Sequence, residues 1–184
     1  MISENSLNRI WEGCKNNDRK QQELLYRVLA PKMLAVCMRY TADRDEAQDV
    51  LQEGFIKIFK NIHNYRGEGS LEGWMRRIMT HSAISRYRKL RPMMLTAEIS
   101  ENCVPFYSAG QTNNRLETQE LLSMIQQLPG NYRSVFNLYA IEGYSHQEIG
   151  SMLGITELLS RTTLHRARGI LKKKVIQRDP SYAA

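Results

Sequence analysis

This chain of 184 residues has few cysteines. Cys14, Cys37 and Cys103 are far apart and odd in number. They read as free thiols of a reducing compartment rather than a covalent frame. No Cys-x-x-Cys or His-x-x-x-His pair is present, so no metal site is expected and no cofactor is indicated. No apolar run approaches the roughly 18 residues needed to cross a bilayer. The opening stretch MISENSLNRIWEGCKNND lacks the basic start and apolar middle of a secretory signal. A cytoplasmic protein without membrane insertion is the expectation. No segment alternates apolar and polar residues with period two, which leaves no candidate strand. Carboxylate clusters, nucleophile–base pairs and phosphate loops are also missing, so nothing supports an enzyme acting on nucleic acid. No internal repeat is found.

What remains is a chain of ordinary composition, 42% hydrophobic and 24% charged, enough for one medium domain or two small ones. The net charge of +7 favours a polyanionic partner, although basicity of this size says little by itself.

Nearly everything before Lys89 has helical period. Leu7, Ile10 and Trp11 indicate a short first helix. Asp18 is placed to cap a second, carrying Leu24, Leu25, Val28 and Leu29. Pro31 either bends that helix or opens a new turn, and Met33, Leu34, Val36 and Cys37 continue the apolar side. A third helix is expected from about Arg44 to Asn61 and a fourth from Ser70 to Lys89. From 91 to 115 two prolines, Gly110 and the polar run SAGQTNNR read as a flexible linker. Helical period returns with Leu116, Leu121, Leu122 and Ile125, and Pro129-Gly130 breaks it. A further helix passes through Val135, Phe136, Leu138 and Tyr139. The tail from 179 is expected to fray. The fold class is therefore all-α, with two small helical domains over 1–90 and 116–184.

The stretch 143–174, GYSHQEIGSMLGITELLSRTTLHRARGILKKK, carries the clearest local signal. Ser145 and Glu148 form a Ser-x-x-Glu capping box. Ile149, Met152 and Leu153 supply an apolar side, and Gly154 suits a left-handed stop. Thr156 can cap the next helix, with Glu157 favourably placed against its dipole. A short helix, a glycine turn and a longer basic helix make a helix-turn-helix. On the second helix Ser160, Leu164, Ala167 and Leu171 share one stripe. Arg161, Thr162, His165, Arg166 and Arg168 fall on the opposite arc, and Lys172, Lys173 and Lys174 follow. Such cations neutralise phosphates, and an arginine can bond a guanine edge twice. The plainer alternative is a cationic helix end that complements the macrodipole.

Two earlier segments carry surfaces of a different kind. In TADRDEAQDVLQEGFIKIFKNI, the residues Ala47, Val50, Leu51, Gly54, Phe55, Ile58 and Ile62 follow helical spacing, and Asp43 with Glu46 could form a capping box. Asp45, Asp49 and Gln52 line the other side, with Glu53 beside them and Ile56 one turn on. This is either a solvated acidic face or a contact surface with a charged rim. Carboxylates in a DNA-binding protein cannot be meeting phosphate, which favours a basic protein partner. In NYRGEGSLEGWMRRIMTHSAISRYRKL, Gly67 and Gly69 permit unusual backbone angles ahead of a Ser70 cap. Leu71, Met75, Ile78, Met79 and Ser82 form the inward side. Arg77, His81, Ile84 and Arg88 lie opposite, with Ser85 adjacent, and Arg76, Arg86 and Lys89 add charge. Tyr65, Trp74 and Tyr87 stand near these cations and could stack on unpaired bases, although Trp74 fits a core position equally well.

Together these segments resemble a bacterial sigma factor of the extracytoplasmic-function (ECF) group. DEAQDVLQEGFIKIFKNI is similar to that family's core-polymerase-binding helix, and YRGEGSLEGWMRRIMTHSAISRYRK to its −10 element segment. LPGNYRSVFNLYAIEGYSHQEIGSMLGI with SRTTLHRAR is similar to its −35 element domain. The resemblance covers about residues 5–178 in family order. It implies that Asp45, Asp49, Gln52, Glu53 and Ile56 bind the coiled coil on the largest subunit of RNA polymerase core. It implies that the loop 64–70, with Tyr65, Arg66 and Gly67, receives a flipped base of the promoter's −10 element. Trp74, Arg77, His81, Ser85 and Arg88 would lie against DNA there. Arg161, Thr162, His165, Arg166 and Arg168 would meet the −35 element. The resemblance further implies no catalysis by the chain itself, no cofactor, and an anti-sigma factor as a partner. Three positions depart from the family pattern. Leu158-Leu159 replaces a small pair such as Gly-Thr, His81 and Ser85 stand where Asn and Asp are common, and Leu71 replaces a common phenylalanine. Leu158 either touches a thymine methyl or weakens docking by removing a phosphate-binding hydroxyl. A stand-alone helix-turn-helix regulator is the competing class, and the acidic helix with Ile56 distinguishes the two.

Overall fold

A computed structural model describes residues 4–96 and 113–178, and every regular element among them is helical. The chain divides into two compact units. One is Met1–Met38 with Arg44–Ala83, and the other is Arg39–Asp43 with Ile84–Ala184.

The first unit contains α1 (Glu4–Lys15), α2 (Arg19–Met38), α3 (Arg44–Lys60), a 3-10 turn (Ile62–Asn64) and the start of α4 (Leu71–Thr96). Asp18 caps α2: its Oδ1 accepts from the Lys20 N–H at 2.8 Å and the Gln21 N–H at 3.4 Å. Leu25, Leu29, Met33 and Val36, three or four residues apart, are buried in sequence along α2. The helix does not break at Pro31. Pro31 and Arg27, whose carbonyl loses its partner, are both exposed residues, so water can take that bond. The apolar residues of α3 meet this stripe as the spacing predicts. Ala47, Val50, Leu51, Phe55, Ile58 and Ile62 are all buried. From α4 come Leu71, Met75 and Met79, and from α1 Ile10, Trp11 and Cys14. Burial, and then the nearby Asp18 carboxylate, pushes the Cys14 thiol up to about 11. It stays protonated at neutral pH and packs as a small hydrophobe.

The inward side of α4 agrees with the sequence reading, with one correction. Ile84, placed on the outer side by projection, is 3% exposed. Helical angle alone could not show that this part of α4 is covered as well. The helix also runs on through Pro92 to Thr96, and α5 already begins at Asn113. Both ends of the expected 91–115 linker are therefore helical. The rest of that linker, Cys103 and the tail from 179 lie outside the described residues.

The second unit adds α5 (Asn113–Gln126), α6 (Gly130–Phe136), a π turn (Asn137–Ile141), α7 (His146–Leu153) and α8 (Glu157–Arg178). Leu128, Val135, Leu138, Ile149, Leu153, Leu164 and Ala167 form its core. Arg133 is buried too, and its guanidinium donates to the Gln126 carbonyl at 2.9 Å, which ties α6 to the end of α5.

Candidate nucleic-acid interface

Short-range chemistry sets the presentation of α8. Ser145 Oγ accepts from the Glu148 N–H, and the Glu148 carboxylate accepts from the Ser145 N–H at 2.8 Å, completing the capping box of α7. Gly154 ends α7 at φ 66°, in the left-handed region that favours glycine. Inside this helix-turn-helix a Cβ on Gly150 would stand 2.8 Å from the Ile155 carbonyl, so the turn closes against α7 only because residue 150 has no side chain. Thr156 Oγ1 then accepts from the Leu159 N–H at 3.1 Å and caps α8.

The two faces of α8 are cleanly separated. Ser160, Thr163, Leu164 and Ala167 are buried. Arg161, Thr162, His165, Arg166 and Arg168 are all exposed, as are Lys172 and Lys173. Glu157 Oε1 accepts from Arg161 Nε at 3.2 Å and Nη2 at 2.5 Å, which fixes that guanidinium along the first turn. The Arg168 guanidinium lies 5.6 Å from the Tyr139 ring centroid. Tyr139 in turn stacks on His146, with ring centroids 4.5 Å apart. The His146 Nδ1 meets Ser160 Oγ at 2.9 Å. Burial, followed by the Arg161 and Arg168 charges, lowers the His146 pKa below its ordinary 6.5, with Glu157 acting the other way. Lys174 differs from its neighbours: its ammonium donates to Gln127 Oε1 at 2.5 Å.

The outer side of α3 carries Asp45, Asp49, Gln52 and Glu53, all exposed, with Ile56 one turn beyond Gln52 and 54% exposed. Ile56 sits between the acidic part of this face, with Glu53 at i−3, and the basic last turn of Lys57 and Lys60.

Between the 3-10 turn and α4 the loop is built on aromatic contacts. Tyr65 and Trp74 are half-buried against Trp11, which is 2% exposed. Ring centroids lie 5.8 Å apart for Trp11–Tyr65, 5.5 Å for Trp11–Trp74 and 5.7 Å for Tyr65–Trp74. The Tyr65 hydroxyl donates to the Gly69 carbonyl at 2.7 Å and closes the loop on itself. Gly67 and Gly69 have φ of 81° and 78°, so both sharp bends depend on glycine. Beside this loop is a cleft of about 650 Å³, whose walls include Trp11, Glu12, Tyr65, Arg66, Gly67 and Glu72. Sequence reasoning placed Trp11 in a short first helix and did not bring it to this loop, because Tyr65, Arg66 and Glu72 lie far along the chain.

The remaining α4 residues are distributed along the helix. Arg77, His81 and Ser85 are exposed. Burial, then the Arg77 and Lys57 charges, lowers the His81 pKa from 6.5. Arg88, also exposed, belongs to the second unit, where its guanidinium reaches the Met152 carbonyl at a long 3.5 Å.

Comparisons with known proteins match both halves of the chain. Residues 25–92 match the family model for Sigma-70 region 2, and residues 118–171 match that for Sigma-70, region 4. The ECF RNA polymerase sigma factor SigW of Bacillus subtilis is 32% identical over 155 residues, which is 78% of this chain and 83% of the relative. The RNA polymerase sigma-H factor of Pseudomonas aeruginosa is 27% identical over 188 residues, covering 94% of this chain and 95% of that protein. Among solved structures, the sigma factor RpoE of Bartonella quintana, crystallised with the anti-sigma factor NepR, shares the fold at a TM-score of 0.52 and 18% identity. The match covers 82% of this chain and 94% of that one. The chain is thus an all-helical transcription initiation factor. It belongs to the ECF group of RNA polymerase sigma factors.

Proposed function

We propose that this sigma factor divides its work between two tethered domains. In this reading residues 1–90 serve polymerase and the opened strand, residues 116–184 serve intact duplex, and the stretch between them is a tether. Asp45, Asp49, Gln52, Glu53 and Ile56 dock the coiled coil on the largest polymerase subunit. The loop 64–70, with Tyr65, Arg66 and Gly67 on the wall of the cleft, receives an unpaired base of the −10 element, and Trp74 lies against the same DNA. Arg77, His81, Ser85 and Arg88 follow the strand there, and Arg161, Thr162, His165, Arg166 and Arg168 read the −35 element. The factor performs no catalysis. Binding energy at the opened strand offsets the cost of unpairing and unstacking. It acts in the cytoplasm with RNA polymerase, and its partners include an anti-sigma factor.

The observation that carries this reading is the exposed outer face of α3, with Asp45, Asp49 and Glu53 along the helix and Ile56 one turn beyond Gln52, in a chain whose α8 presents a row of exposed cations. An acidic face is repelled by phosphate, so it is suited to a basic protein. A regulator that only binds DNA has no use for it. Size-exclusion of the purified chain with core polymerase tests the reading, coupled to transcription in vitro and sequencing of the transcripts. Co-elution and transcripts with shared upstream elements are expected. A chain that binds duplex tightly yet neither co-elutes nor starts RNA synthesis would be a stand-alone regulator instead.

A further inference from the structure

We propose that Leu158 reads the C5-methyl group of one thymine in the duplex element bound by α8. The inference rests on the duplex-reading role of that helix. At 71% exposure Leu158 is far more open than a leucine of a packed helix. At about 100° per residue it shares its direction with Thr162 and His165, and it points opposite to the buried Ala167. It therefore stands at the centre of the outward face rather than on its edge.

Its neighbours make that centre apolar. The Thr162 hydroxyl donates to the carbonyls of Leu158 at 3.2 Å and Leu159 at 3.1 Å. With its hydrogen committed to its own helix, Thr162 can offer a base only a methyl group and an acceptor. Arg161, three residues on, forms an exposed ion pair with Glu157. Leu158 and the Thr162 methyl thus make a small apolar spot on an otherwise charged face, beside the Glu157–Arg161 pair. Phosphates cannot use such a spot. In the major groove the apolar group is the thymine methyl, while guanine and cytosine edges present donors and acceptors that a leucine would strip of water.

The test uses the full chain bound to core polymerase. A random duplex library first yields the upstream element it selects. Each thymine in that element is then replaced by deoxyuridine, which keeps every hydrogen-bonding group and lacks only the methyl. At one thymine the replacement is expected to weaken binding about fourfold, the value of one buried methyl. Leu158→Ala should lose that sensitivity and keep the other base preferences. Leu159→Ala should keep it. Circular dichroism of both variants verifies the fold. The inference is overturned if the selected element contains no thymine, if thymine and deoxyuridine bind alike at every position, or if Leu158→Ala remains methyl-sensitive. A library that returns no upstream element at all would overturn the duplex-reading role itself.

Discussion

Met79 occupies the space that a side chain on Gly54 would need: a Cβ built there stands 2.2 Å from the Met79 sulfur. The two residues set how closely α3 and α4 approach within the first unit. Met79 is fully buried, so its flexible end has nowhere to swing. Gly54→Ala gains about 1 kcal/mol of helix propensity but overpacks the contact, at a cost of roughly 1–3 kcal/mol. A net loss of stability is expected in chemical denaturation, and Met79→Ala in the same chain should restore part of it. If Gly54→Ala raised the unfolding midpoint, the approach would not be limiting.

Asp49→Arg puts a cation at the exposed acidic face of α3 without touching the core. Binding to core polymerase should fall below detection in size-exclusion, while the helical circular dichroism spectrum is unchanged. Undiminished binding would mean that α3 does not face polymerase.

Arg166 is exposed on the outward face of α8. Arg166→Ala should weaken binding to the selected upstream element by about 1–3 kcal/mol and random duplex by less. An equal loss on both in a filter-binding titration would assign this arginine to phosphate alone.

The Tyr65 hydroxyl is the clasp of the loop before α4. Tyr65→Phe removes a hydrogen bond worth about 1 kcal/mol and frees the loop from Gly69. Strand opening, followed by permanganate reactivity of unpaired thymines, should decline while upstream duplex affinity holds. A parallel decline in both would indicate general destabilisation.

His146 makes stability depend on pH. Its folded pKa lies below 6.5, so below about that pH the unfolded chain binds more protons than the folded one. Its contribution is fully present above the unfolded pKa and is lost as pH falls through the folded value. Denaturation midpoints should therefore drop on acidification from pH 7, and His146→Gln should flatten that drop. An unchanged slope would assign the acid sensitivity to other groups, His81 among them.

Several elements were legible before any coordinates. The Ser145–Glu148 box, the Gly154 stop and the Thr156 cap involve residues at most four apart, so neighbouring letters contain the whole interaction. The buried side of α3 could be read because one helix has one period. The outer positions on α3 and α8 followed from the same projection. Ile84 was misread for the same reason, since period says nothing of what packs on a second side. The π turn at Asn137–Ile141 was read as plain helix, and a receiving site at the loop by Tyr65 was suggested only by the family resemblance, with nothing in the residue pattern pointing to the Trp11 wall of the cleft.

Helix order, caps, turn positions and the sign of charge on each face were written in the chain itself, because each depends on contacts within about one helical turn. Trp11 meeting Tyr65 and Trp74, Met79 filling the gap at Gly54, and the covering of Ile84 came only with packing. The Trp11 and Gly54 contacts join residues tens of positions apart. Which of them form depends on how whole helices share volume, and periodicity within one helix holds no record of that.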